Sequence, residues 1–181
     1  MTGFSSSGGG SIKLINRQVV AGVSSVDFTD GIIDTAYKNF IFEGHDIVTS
    51  SDNVSLLFKL SSDGGATFLS SHFYKTRSDR EDGAGGADGG AASAGQILMN
   101  IVGEGLGTTA GNSGEFTLEL KNPSNPVYFK SCHWSGTHWR AAHMVRNQGS
   151  GGVGTGAEIN AVSFLLTAGL VSGEFSIYGV L

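Results

Sequence analysis

The sequence predicts an all-β fold, a single antiparallel β-sandwich, and three observations carry that prediction. Apolar and polar residues alternate with the period of a half-buried strand in several short runs. The cleanest sets Phe116, Leu118 and Leu120 against Glu115, Thr117, Glu119 and Lys121. No stretch has the apolar spacing of a convincing amphipathic helix. Glycine is abundant, 29 residues against 2 prolines, and it clusters between the alternating runs, which reads as long Gly-rich loops joining strands.

Taken in order, residues 1–11 form a Gly/Ser-rich arm, expected to be flexible. With the first strand, the arm makes residues 1–20 an attachment or strand-exchange segment ahead of a sandwich domain at 21–181. Strand candidates follow at 12–20, 24–29 and 37–42, the last with Phe40 and Phe42 on one face. At 54–60, Val54, Leu56, Phe58 and Leu60 alternate with Ser55, Leu57 and Lys59. The turn at 61–65 contains Asp63-Gly64, which supplies the positive φ of a primed hairpin turn, so 67–75 is expected to return as the partner strand.

The stretch 78–96, rich in Gly, Ala and Asp, has little apolar area to bury and is expected to be a long surface loop. Strands resume at 96–102 and 115–121; 122–126 is a turn, and 127–134 and 139–145 read as a strand pair. A third Gly-rich segment, 147–156, leads to the last two strands. The strand at 161–166 is apolar on both faces, which fits either a partner surface or a central strand covered on both sides. In the closing run Phe175 and Ile177 alternate with Glu174, Ser176 and Tyr178, and this strand is expected to be pinned inside a sheet. The count is about eight to ten short strands in one domain of 181 residues.

Composition narrows function mainly by exclusion. The net charge of −5 and the scarcity of charged residues leave no footprint for nucleic acid. No run approaches the roughly 20 apolar residues that span a bilayer, and no basic segment precedes an apolar one at the start. Neither membrane insertion nor secretion by a leader is therefore expected, and synthesis in a cytoplasm is. The single cysteine, Cys132, cannot form an internal disulfide.

Several segments resemble, in their order, those of bacteriophage virion proteins. These are 26–32 (VDFTDGI), the aromatic run from Tyr37 to Phe42, 55–68 (SLLFKLSSDGGATF), 114–123 (GEFTLELKNP) and the terminal SGEFSIYG at 172–179. The resemblance covers roughly residues 24–181 and implies a jelly-roll-like sandwich carried on a tail fibre, tail tip or capsid. It also implies an oligomer, for which a homotrimer matches fibre and capsomer symmetry. The implied partners are other virion proteins, reached through the N-terminal arm, and a glycan or protein of the host surface.

Chemistry is densest from Cys132 to His143. His133, Trp134, His138, Trp139 and Arg140 either pack across a hairpin or form a recognition surface, residue types in which binding energy concentrates. Strand alternation separates Cys132 from His133, so a zinc site is not expected. Asp79, Glu81, Asp82 and Asp88 carry hard oxygen ligands but lack calcium-loop register, and are expected as solvated loop residues available for surface contacts. The GSGGVG at 149–154 has no helix after it and is not a dinucleotide fingerprint. No catalytic signature, cofactor or metal site is predicted, and the expected role is structural.

Overall fold

The computed structural model describes residues 11–29, 31–82, 86–100 and 103–181; the predicted arm at 1–10 lies outside the described residues. In chain order the strands are β1 (Ile12–Val23), β2 (Ser25–Phe28), β3 (Asn39–Thr49), β4 (Leu56–Ser61), β5 (His72–Arg80) and β6 (Gly86–Ala94). The second half supplies β7 (Ile97–Leu98), β8 (Gly114–Lys121), β9 (Lys130–Arg140), β10 (His143–Val153), β11 (Ala161–Leu166) and β12 (Val171–Val180). These form an eight-stranded sheet, β1-β12-β3-β8-β9-β10-β5-β6, facing a four-stranded sheet, β2-β11-β4-β7.

With the hairpins β5–β6 and β9–β10 set aside, pairing is nested from the outside in. β1 pairs with β12, β2 with β11, β3 with β8 and β4 with β7, every pair antiparallel. β12 also pairs with β3, and β11 with β4, which joins the nested pairs into two four-stranded sheets. This is the jelly roll that the sequence resemblance implies. The two extra hairpins widen only the first sheet. The closing strand is interior, as expected, lying between β1 and β3 with Phe175 and Ile177 fully buried. The 161–166 strand is the central, covered alternative: β11 lies between β2 and β4.

Alternation delivers one face of each strand to the core. Phe28, Phe42, Phe58, Phe116 and Phe175 surround Phe164, with ring centroids 5.0–6.4 Å from it in edge and tilted arrangements. Both sheets contribute rings, so this cluster is what holds them face to face.

Four local expectations are corrected. The Asp63-Gly64 turn has its positive φ but is not a hairpin, because β4 and β5 belong to different sheets. It is a corner in which Asp63 accepts hydrogen bonds from Ser61 and Thr67, and those bonds hold its carboxyl at about 2. Most of the predicted loop at 78–96 is strand, ending β5 and forming β6. The connection expected between the strand pair at 127–134 and 139–145 is not there: β9 runs straight through 135–138, and the chain reverses at Ala141 (φ 52°). The glycines of 147–153 lie within β10, where bulk is excluded by neighbours: a Cβ on Gly149 would sit 2.3 Å from the Trp134 ring. Twelve strands among the described residues therefore replace the expected eight to ten.

Register also defines two ends. Ile12, Val180, Asn39, Lys121, Ser131, Gly152 and Phe73 form one cross-strand row near the end where Leu181 N–H meets the Ser11 carbonyl. We call this end basal. The opposite, apical end carries the turns after β3, β5, β7, β9 and β11.

Candidate functional site

The residues singled out in the sequence separate according to strand parity. Even positions of β9 point inward: Cys132, Trp134 and His138 are each 3% exposed. Trp134 donates its indole N–H to the Met99 carbonyl at 2.9 Å and packs over Gly149, so it is core and not surface. His138 sits in a buried relay: Ser78 donates to Asn147 Oδ1 at 2.7 Å, and Asn147 Nδ2 donates to His138 Nδ1 at 2.8 Å. Burial pushes the His138 pKa down to about 4, against the pull of the Glu104 and Gly105 carbonyls; the ring is neutral. Its Nε2 has no partner in hydrogen-bond geometry among the described residues. A cavity of about 30 Å³ adjoins the ring, enough for a water or two.

Odd positions of β9 face outward. His133 lies 3.2 Å from Glu119, and Trp139 is 44% exposed above a hollow of about 650 Å³ bordered by His45, Asp46, Glu115, Thr137 and Glu174. Arg140, at an even position and only 26% exposed, reaches Glu104 at 3.2 Å.

The far end of one predicted cluster, His138 and Arg140, meets the other at the apical end, while His133 and Trp134 lie on β9 close to the basal row. β5 and β9 both flank β10, which aligns Arg80, Val145 and His138 across three strands. Arg80 contacts Asp82 at 2.5 Å and lies 4.0 Å from Glu104, so Glu104 is shared between two guanidiniums. Glu81 accepts the Met144 N–H, while Asp79 and Asp88 flank Arg77 at 2.7 and 3.6 Å. These carboxylates are occupied by arginines and backbone, which makes the predicted acidic loop a cross-linked strand end. Asp52 and Asn53 tie the apical loops further by accepting N–H groups of Thr108 and Gly105.

The surface that the sequence reading missed is basal. The loop after β8 turns at Asn122 (φ 44°) and lifts Val127, Tyr128 and Phe129 into solvent, 69%, 67% and 73% exposed. It is held from beneath. Asn125 Oδ1 accepts the N–H groups of Val127 and Tyr128 at 2.8 and 3.1 Å. Lys130, 2% exposed, donates its ammonium to the carbonyls of Asn125 and Tyr128. Burial lowers the Lys130 pKa and the Glu158 carboxylate opposes that shift. Beside the loop, Phe73 and Phe129 flank a groove of about 450 Å³ with Gly154 in its lining. The available signal was three consecutive apolar residues after Pro126, a run that breaks alternation and is unusual in solvent without a partner.

Comparisons with protein-family models, curated proteins and solved structures found no match to this chain.

Proposed function

We propose that this chain is a non-enzymatic structural protein of a bacteriophage virion, a small tail-fibre or tail-tip module that assembles as a homotrimer and contacts the host surface. The observation that carries this reading is the division of the sandwich into two chemically different ends. A rigid apolar loop stands at the basal end, where the N-terminal arm joins the domain, and suits assembly with other virion subunits. Cross-linked polar loops and the half-exposed Trp139 stand at the apical end and suit contact with a host glycan or protein. The resemblance of its segment order to that of virion proteins is what suggests the phage context.

A second reading is a capsid decoration or head-fibre protein. It is favoured by the start of the described chain at the same basal end as the apolar loop, so that an arm preceding Ser11 could reach a capsomer that the loop touches. Quantitative mass spectrometry of purified virions against the major capsid protein separates the two. A few to a few tens of copies is the expected result. Hundreds per particle would transfer the role to the capsid, and absence from virions would end both readings.

A further inference from the structure

We infer that a groove across the outer face of the eight-stranded sheet, beginning beneath Trp139, holds an uncharged oligosaccharide. The inference rests on the host-contact reading and chooses a glycan, not a protein, as what the apical end meets.

The groove is assembled by register. On the face turned away from the four-stranded sheet, Glu174 stands beside His45, Glu115 beside Thr137, and Thr137 beside Arg146. His45 and Asp46 fall between the Gly44–Phe116 and Ile47–Gly114 pairs, so a bulge of β3 faces Glu115. The row crosses β12, β3, β8, β9 and β10, a span of roughly 19 Å at about 4.8 Å per strand. Two hollows lie along it. The hollow of about 650 Å³ under Trp139 and another of about 310 Å³ reaching Thr117, Ser135 and Arg146 share His45, Glu115 and Thr137, which makes them one groove. Its length suits a chain of sugar rings better than one compact ligand.

Backbone irregularity is concentrated at this groove. β12 breaks register at Gly173 (φ 146°) beside the β3 bulge, and a Cβ on Gly173 would sit 2.9 Å from the His45 carbonyl oxygen. Asp46 has φ 51°, the left-handed region that a non-glycine residue occupies at a cost. His45 and Asp46 are both exposed and both line the hollow. Bulges and strained residues that re-aim polar side chains cluster at ligand sites.

Chemistry selects the ligand. Trp139, 44% exposed, and Met144 give the larger hollow an apolar side above a polar floor. The floor offers carboxylate, imidazole, hydroxyl and guanidinium groups, and Thr137 already donates to Glu115 at 3.0 Å. A pyranose has the same division: a C–H face for an aromatic ring, and a rim of hydroxyls that both donate and accept. A protein partner would need a larger apolar centre. Charge narrows the class further. Asp46, Glu115 and Glu174 outnumber Arg146 and the Arg17 that Glu174 already binds, so sugars bearing phosphate or carboxylate are repelled.

An array of short linear oligosaccharides, uncharged and acidic, probed with the full chain tests the groove; the best binder is then titrated against Trp139→Ala. Trp139 is at the surface, and thermal melting establishes that each variant is folded. We expect binding to uncharged members and a dissociation constant raised about tenfold or more in Trp139→Ala. Binding should also change indole fluorescence, and the variant should lose that change while buried Trp134 still emits. Asp46→Asn combined with Glu115→Gln should admit acidic members that the wild type rejects. No binding to uncharged members, a wild-type preference for acidic ones, or an affinity unchanged in folded Trp139→Ala would overturn the groove. Adsorption to host cells in any of those cases leaves the host-contact reading standing. An uncharged glycan bound through Trp139 by a chain that does not adsorb to host cells would keep the groove and overturn that reading.

Discussion

At the basal end of the sandwich a buried ammonium points into a loop and fixes the backbone beneath three uncharged, exposed side chains. At the apical end, guanidiniums and carboxylates bridge loops to strands, and Glu104 lies between Arg80 and Arg140. Both ends order long connections on the same strands, by opposite placement of charge. Where charge is buried, the surface above it is free to be apolar. Where charge is at the surface, the loops are tied to one another and the exterior is polar. Each end also holds a buried neutral histidine. Basal His72 joins the sheets by accepting the Leu60 N–H and bonding the Ala94 carbonyl, and apical His138 ends the Ser78–Asn147 relay.

The largest effect should come from the core that both ends share. Phe164→Ala removes the ring around which five others pack and should cost about 3–5 kcal/mol in urea unfolding. Hydrogen exchange should accelerate at both ends together; acceleration confined to one end would mean that the ends do not share one cooperative unit.

Acid comes next. His138 has a pKa of about 4 in the folded chain against 6.5 ordinarily, so the unfolded chain binds its proton first as pH falls. Its contribution is complete above pH 6.5 and is lost toward pH 4, roughly 3 kcal/mol in all. His72, also shifted down by burial, adds in the same direction below 6.5. Urea midpoints at about pH 7 and pH 4 should differ accordingly, and His138→Gln should flatten the dependence; an unchanged slope in that variant would assign acid sensitivity to other groups.

Lys130→Met sharpens the contrast between ends. Leaving the Asn125 and Tyr128 carbonyls without their donor should cost about 2 kcal/mol and speed exchange at 122–129, with 103–113 unaffected. Equal acceleration at both ends would mean that the lysine supports the whole fold and not its loop. The smallest effect is apical. Arg140→Ala breaks a partly exposed pair with Glu104 and should cost below about 1 kcal/mol, less in high salt. A loss above about 2 kcal/mol would show that the pair behaves as a buried one.

How much of this was readable from the sequence follows from the range of each signal. Alternation at Phe40 and Phe42, at Phe116 to Leu120 and at Phe175 to Ile177 is local, and those strands stand where the pattern puts them. Composition misled where glycine answers to a distant neighbour. Gly149 makes room for Trp134, and Gly136 lies against Phe116, where a Cβ would come within 3.0 Å of the Phe116 Cβ; a short window sees only a flexible segment in each case. The Asp63-Gly64 turn chemistry was legible, but whether a turn stays in one sheet or crosses to another depends on strands far along the chain. Of the site residues, outward Trp139 and His133 follow from parity once β9 is known to be continuous. The basal patch was hidden because the residue that shapes it, Lys130, reads from sequence as ordinary surface charge.

The nested pairing of strands sets an order of assembly. β12 follows every other described strand along the chain and fills the place between β1 and β3, while β11 does the same between β2 and β4. Neither sheet closes until residues 161–180 arrive, and until then β1 has no neighbour in its own sheet. Such long-range closure is slow compared with local hairpins. β5–β6 and β9–β10, each joined by a short connection, are therefore the parts expected to form first, beside a sheet that is still in two pieces. A copy truncated before β12 would expose two apolar strand edges at once and join other chains through them.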